Sequence, residues 1–209
     1  MIRVMLVDDH AMLREGLRSK LEAIEGIEVV GEAGTAQELM TRLPEARPNV
    51  VILDIKLPDA SGVDLIPQIK QACAHCKIII LTMYSHSRYA MHALESGADG
   101  FLVKGAPFEE LLQGVRKVAG NERFVSSAMA AELAGRLARP RKGTLESLSQ
   151  REFQVLVEMG NGYSVKEIAY HLGVSEKSVT TYRTRVMEKL KLANKADLIR
   201  FAIENGLAE

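Results

Sequence analysis

The strongest constraint on this chain is an alternation of two residue periods through its first ~120 positions. Short apolar runs rich in β-branched residues occur at Val4–Val7, around Val29–Val30, and at Val50–Leu53, Ile78–Leu81 and Phe101–Val103. Each is too short for a helix and suits a strand buried on both faces. Between them, apolar residues recur at helical spacing over about 11–24, 36–43, 62–72, 87–96 and 107–119. Five strand–helix repeats predict an α/β fold: a doubly wound, five-stranded parallel sheet of flavodoxin-like type.

The rest of the chain carries a different signal. Ser149–Glu152 and Ser164–Glu167 have the capping-box pattern, and Ser175 and Asn194 are further N-cap residues. Leu148, Tyr163, Val174 and Ala193 precede these caps, and five positions later come Phe153, Ile168, Val179 and Leu198, the spacing of a hydrophobic staple. Gly162, Gly173 and Gly206 punctuate helix ends. The pattern predicts a small all-α domain of four helices. The expected organisation is therefore an α/β domain at 1–122, a partly helical linker at 123–147 and a helical domain at 148–209. Within the linker, Ser127–Ala138 has helical composition, and Arg139–Gly143 reads as a flexible basic stretch.

Composition excludes several classes. No apolar run approaches the ~20 residues of a membrane span, and acids at positions 8 and 9 are incompatible with a signal peptide. A cytoplasmic protein without membrane attachment is the expectation. The formal net charge is zero but unevenly spread: −4 over 1–122, +3 over 123–147 and +1 over 148–209. A claim of nucleic-acid binding must therefore rest on local placement rather than bulk charge. Cys73 and Cys76 lack a second cysteine pair to complete a four-ligand zinc site, so they read as two small residues ending a surface helix.

In open α/β sheets, ligands bind at the carboxyl ends of the strands, near the point where strand order reverses. Here those ends carry Asp8 and Asp9 (strand 1), Asp54 (strand 3), Thr82 (strand 4) and Lys104 (strand 5). Any one of these alone would read as a solvated loop residue. Five at corresponding ends point to a site. Clustered carboxylates repel unless a cation joins them, and a hard divalent ion such as Mg²⁺ matches that donor set. A carboxylate can then act as nucleophile toward a phosphoryl group whose oxygens meet Lys104 and Thr82.

Over residues 2–120 the chain resembles the receiver domain of two-component response regulators, through VDDH (7–10), LDIKLPDASG (53–62), LT (81–82), GADGFLVK (97–104) and FEELLQGV (108–115). The resemblance implies Asp54 as phosphoacceptor. Asp8, Asp9, Asp54 and the backbone carbonyl of Lys56 would be ligands to Mg²⁺ or Mn²⁺. It further implies Thr82 and Lys104 as phosphoryl-binding residues, Phe101 as the switch aromatic, and a sensor histidine kinase as phosphodonor. Three positions depart from the pattern. Phe101 lacks a hydroxyl, so a switch there works by packing. Met83 is larger than the small residue usual beside the phosphoryl site. Gly105 replaces the common Pro, so a cis bond is not required there.

Ser164–Leu172, Gly173 and Ser175–Lys191 read as helix, tight turn, helix. At ~100° per residue, Val179, Val186 and Leu190 share the inner face of the second helix. Lys177, Thr181, Thr184 and Glu188 share the outer one, with Thr180, Arg185 and Lys191 at its edges. Residues 175–191 hold five Lys/Arg and two Glu, so short polar groups for base edges and cations for phosphates lie together. Residues 148–207 resemble the NarL/FixJ, LuxR-type DNA-binding domain through LSQREFQVL, GYSVKEIAYHLGVSEKSV and EKLKLANKADLIRFAIENGL. The resemblance implies base contacts from Lys177, Thr180, Thr181 and Thr184, and phosphate contacts from Arg183, Arg185 and Lys189. It also implies a last helix, about Lys195–Glu204, that pairs protomers, although core packing alone accounts for Leu198, Ile199 and Ala202.

Together these readings imply a transcription factor, a homodimer when active, that binds promoter DNA under phosphorylation control. RNA polymerase is a further partner the resemblance allows, and enzymatic turnover beyond the receiver's own phosphoryl chemistry is not expected. A second reading keeps DNA binding but makes the receiver a phosphorylation-independent dimerisation module, motivated by Met83 and Phe101. An aspartate-based phosphatase is disfavoured because Lys56 stands where its second acid would be. A ligand-sensing regulator is disfavoured because it would lack the acidic residues 8, 9 and 54.

Overall fold

The structure, a computed structural model, describes residues 1–84, 86–131 and 144–208. These fall into two compact units, one up to residue 131 and the other from residue 144. In the first, strands β1 (Ile2–Val7), β2 (Ile27–Ala33), β3 (Val50–Leu53), β4 (Lys77–Thr82) and β5 (Gly100–Val103) alternate with helices α1 (Ala11–Glu22), α2 (Ala36–Ala46), α3 (Gly62–Ala72), α4 (Ser87–Glu95) and α5 (Phe108–Ala119). The strands pair in the order β2-β1-β3-β4-β5, all parallel. The reversal of strand order lies at β1 and β3.

The expected five strands are joined by a sixth. β6 (Phe124–Val125) pairs in parallel with β5, so the sheet is six-stranded among the described residues. Its two residues are too few to show periodicity, and they fall in the stretch read as the start of the linker. Residues 127–131 are helical; the remainder of the expected linker helix and the basic stretch 139–143 lie outside the described residues. The helical spacing read over about 36–43 extends to Ala46, past Pro44. Pro44 has no N–H to donate to the Met40 carbonyl, so it removes one bond of the last turns.

Side chains alternate across the strands. Val4, Leu6, Val50, Ile52, Ile79, Leu81 and Leu102 pack with Leu21 of α1 and with Leu111, Val115 and Val118 of α5. The intervening residues Met5, Val7, Val51, Leu53, Ile78, Ile80 and Phe101 are equally buried. Burial on both faces explains why the strands read as unbroken apolar runs.

In the second unit a short 3-10 turn (Thr144–Ser147) leads into α6 (Gln150–Gly160), α7 (Val165–Leu172), α8 (Glu176–Leu190) and α9 (Lys195–Glu204). All four expected N-caps form, with reciprocal capping boxes at Ser149–Glu152 and Ser164–Glu167. Gly173 ends α7 at φ 62°, a left-handed conformation that glycine adopts without strain. Phe153, Ile168, Val179, Val186 and Leu198 form a buried core. Gly160 lets α6 meet α9, since a Cβ there would lie 2.6 Å from that of Ala202.

Candidate functional site

The sheet register levels the strand ends in two pairs, with β4 running two residues past Leu53, which pairs with Ile80. Val7 pairs with Leu53, and Thr82 with Val103. Beyond these pairs, the Asp54 N–H donates to the Val7 carbonyl at 2.8 Å and the Lys104 N–H to the Thr82 carbonyl at 2.7 Å. Asp8, Asp54, Thr82 and Lys104 are thereby held at one edge by backbone hydrogen bonds rather than by loop conformation.

The Lys104 Nζ lies 2.6 Å from Asp8 Oδ2 and 2.7 Å from Asp54 Oδ2, and all three side chains are less than a tenth exposed. Burial raises the Asp54 carboxyl above its ordinary range, and the charge of Asp8 adds to this. Lys104 and the Lys56 backbone N–H oppose the rise without cancelling it. Burial pushes the Lys104 ammonium down, but Asp54 and then Asp8 outweigh that and hold it above its ordinary value. Asp54 Oδ1 is buried and has no hydrogen-bond partner among the described residues.

Asp9 is more exposed, and its Oδ1 lies 2.7 Å from His10 Nδ1, which is also 3.0 Å from Asp8 Oδ1. Ligand atoms of Asp8, Asp9, His10 and Asp54 all lie within 4.8 Å of one another. Three carboxylates cluster here, two of them on one lysine ammonium, so the pocket is negative and oxygen-rich, with one buried oxygen unsatisfied among the described residues. That donor set fits a hard divalent cation. His10 carries no site signal in the sequence beyond its position directly after two acids, just ahead of α1.

The loop after Asp54 depends on two residues that pattern alone does not expose. Gly62 passes so close that a Cβ would lie 1.9 Å from the Asp54 backbone oxygen, and its N–H donates to the Ile55 carbonyl at 2.7 Å. Asp59 reaches α2, accepting from the N–H groups of Ala36 and Gln37 at 2.8 and 3.0 Å. A carboxylate at a helix N-terminus is favoured by the unpaired donors and the dipole there. Lys56 bridges to Ser61 within the same loop. Phe101 is fully buried, and Met83, beside Thr82, is 58% exposed. The described peptide bonds are all trans, that after Lys104 included.

In the second unit α7, Gly173 and α8 form the expected helix-turn-helix. Val179, Val186 and Leu190 are buried, whereas Lys177, Thr180, Thr181, Thr184, Arg185, Glu188 and Lys191 are exposed and Arg183 is half-buried. Thr180, Thr181 and Thr184 donate their hydroxyls to the carbonyls of Glu176, Lys177 and Thr180 at 3.0, 2.9 and 3.1 Å. Their outward chemistry is a methyl group and hydroxyl lone pairs. Lys189 is engaged inside the unit. Its Nζ lies 2.6 Å from Oε2 of Glu152, which is 3% exposed, and 2.9 Å from the Ser147 carbonyl. This contact holds α8 to the start of α6. On α9, Leu198 and Ala202 are buried, but Ile203 is 51% exposed.

Comparisons with known proteins bear on both units. Residues 4–116 match the response regulator receiver domain, and residues 146–202 match the bacterial regulatory proteins of the luxR family. The chain is 32% identical to the response regulator GacA of Pseudomonas aeruginosa, covering 100% of this chain and 99% of that one. It is 35% identical to the response regulator UvrY of Escherichia coli K12, covering 99% and 96%. It superposes with a TM-score of 0.76, at 28% identity, on RcsB of Salmonella enterica serovar Typhimurium bound to promoter P1flhDC with the phosphomimetic BeF3⁻, covering 99% and 98%. Fold, strand-end site and helix-turn-helix thus agree: the chain belongs to the response regulators that join a receiver domain to a LuxR-type DNA-binding domain, and it is a DNA-binding regulator of transcription.

Proposed function

We propose that Asp54 is the phosphoacceptor and that its phosphorylation by a sensor histidine kinase controls promoter binding through α8. The carrying observation is the triad of Asp8, Lys104 and Asp54, in which one lysine bridges two buried carboxylates while Asp54 Oδ1 stays unpartnered. An Asp54 oxygen attacks phosphorus, an O–P bond forms and the N–P bond to the kinase histidine breaks. Lys104 and the Thr82 hydroxyl receive the phosphoryl oxygens. Asp8, Asp9, Asp54 and the Lys56 carbonyl would hold Mg²⁺ or Mn²⁺, which would supply positive charge against those oxygens.

Phosphorylation exchanges the carboxylate that Lys104 now contacts for a larger dianionic group. Lys104 and Thr82 follow it, and the packing around Phe101 changes with the β4 and β5 ends. A bias of a few kcal/mol suffices to shift a pre-existing equilibrium toward a dimer. Two α8 helices then occupy major-groove half-sites about one turn apart. Lys177, Thr180, Thr181 and Thr184 meet base edges, Arg183 and Arg185 meet phosphates, and Lys189 serves chiefly to seat α8. The promoter-bound RcsB structures, and one with two RcsB dimers on DNA, support this reading.

The test is incubation with Mg²⁺ and a small-molecule phosphodonor, followed by intact-mass measurement. One added phosphoryl group on the wild type, lost in Asp54→Asn, is expected. An unmodified wild type would instead favour the receiver as a phosphorylation-independent dimerisation module.

A further inference from the structure

Cys73 and Cys76 lie at the opposite end of the sheet from the acidic pocket. Cys73 is the C-cap of α3, and Cys76 immediately precedes β4. In sequence they read as two small residues ending a surface helix; the structure joins them in a disulfide. Their Cα atoms are 5.4 Å apart, inside the range that a disulfide spans without backbone movement. Six strand residues separate Cys76 from the end of β4, about 20 Å at strand rise, so this pair is remote from Thr82 and Asp54.

The turn that holds the two cysteines is built by other bonds. The Cys73 N–H donates to the Ile69 carbonyl at 2.8 Å, and the Cys76 N–H to the Cys73 carbonyl at 3.0 Å. Lys70 Nζ donates to the Cys76 carbonyl at 2.9 Å and to Asp99 Oδ2 at 2.6 Å, and Asp99 Oδ2 also accepts from the Ile78 N–H at 2.9 Å. These bonds hold the backbone of the turn independently of the disulfide.

The two sulfurs differ in their surroundings. Cys76 is fully buried, its Sγ 3.1 Å from the Pro48 carbonyl oxygen, an acceptor for a thiol proton. Cys73 is 7% exposed; its Sγ lies 3.6 Å from Nε2 and 3.8 Å from Nδ1 of the exposed His75, beside the ring, and 4.0 Å from the Pro48 carbonyl oxygen. An imidazole beside a thiol favours the thiolate, the attacking species in exchange.

We propose that Cys73, His75 and Cys76 form a reversible thiol–disulfide exchange site whose partners are low-molecular-weight thiols and their disulfides. In the oxidising direction, the Cys73 thiolate, its proton passed to His75, attacks one sulfur of the small disulfide. A mixed disulfide forms and one small thiolate leaves. The Cys76 thiol then loses its proton and attacks the Cys73 sulfur, and the second small thiolate leaves. The two released thiolates take up the two protons. Two protein thiols are oxidised and one small disulfide is reduced. In the reducing direction the small thiol reverses both steps.

The test equilibrates the full chain with reduced and oxidised glutathione at graded ratios, quenches with acid, alkylates free thiols and reads the intact mass. The expected result is a single transition from two labels to none, reversed on returning to reduced glutathione. Cys76→Ser is expected to accumulate one glutathione on Cys73. His75→Gln is expected to slow exchange about tenfold and, because it removes a partner of the reduced Cys73 thiolate, to shift the transition toward the disulfide. Two labels retained at every ratio would overturn the proposal. So would stoichiometric Zn²⁺ binding by the reduced wild type that protects both thiols from oxidised glutathione, which would make the cluster a metal site instead.

Discussion

In the receiver, Asp8, Asp54 and Lys104 are each under a tenth exposed and meet at 2.6 and 2.7 Å, whereas Lys177 and Arg185 on α8 and Lys191 at its C-cap are exposed to solvent. The first arrangement concentrates charge where water screens little, so each member matters strongly and its loss leaves a partner uncompensated. The second spreads charge over a surface that salt screens, so each member matters weakly and the sum matters for binding. Glu152 and Lys189 stand between these cases: a buried carboxylate met by a lysine whose side chain is 39% exposed.

The largest effect is expected at Lys104. Lys104→Met leaves Asp8 and Asp54 facing each other and should destabilise the receiver by about 3 kcal/mol without divalent cation, read by urea denaturation. Because Lys104 is held above its ordinary value of 10.5, the stabilisation it contributes is complete below about pH 10.5. That stabilisation is lost as pH rises through the folded-state value. An unchanged urea midpoint would remove the contrast between the two regions.

An intermediate effect is expected for Glu152→Gln, which removes the charge that seats Lys189 and weakens the capping box. A loss of about 1 to 2 kcal/mol in the second unit follows from the cap and the charged hydrogen bond together. Burial pushes the Glu152 carboxyl up, but Lys189 and Ser149 outweigh it and hold it below its ordinary value of 4.5. Its contribution is therefore present above pH 4.5 and is lost as pH falls through the folded-state value. The variant should show a shallower acid dependence than the wild type when helicity is followed.

The smallest effect is expected for Arg185→Ala. It should cost about 1 kcal/mol of DNA binding, nearly equal across sequences, and reduce the salt slope by about 1. A strongly sequence-dependent loss would place Arg185 among the base-reading residues instead.

The contrast also explains what could be read from sequence. Strands buried on both faces leave apolar runs, and the residues following them mark the strand ends, so Asp8, Asp54, Thr82 and Lys104 were legible without coordinates. The caps at Ser149, Ser164, Ser175 and Asn194 were legible because capping is local. What escaped is long-range or too short to show a period. Phe124–Val125 joins the sheet with two residues. Asp59 caps α2 from a loop 22 residues away. Lys189, which the resemblance implies as a phosphate contact, reaches Glu152 across 37 residues. Gly62 fits the loop motif, but its necessity shows only where the backbone passes Asp54.

The central claim is that chemistry at Asp54 controls DNA binding by α8. The direct measurement is fluorescence anisotropy with genomic fragments recovered by mapping the wild-type chain on its own genome, with and without phosphodonor and Mg²⁺, for wild type and Asp54→Asn. The donor is expected to tighten wild-type binding at least tenfold, about 1.4 kcal/mol, and to leave Asp54→Asn unchanged. Equal responses of the two proteins, or no response in the wild type, would contradict it.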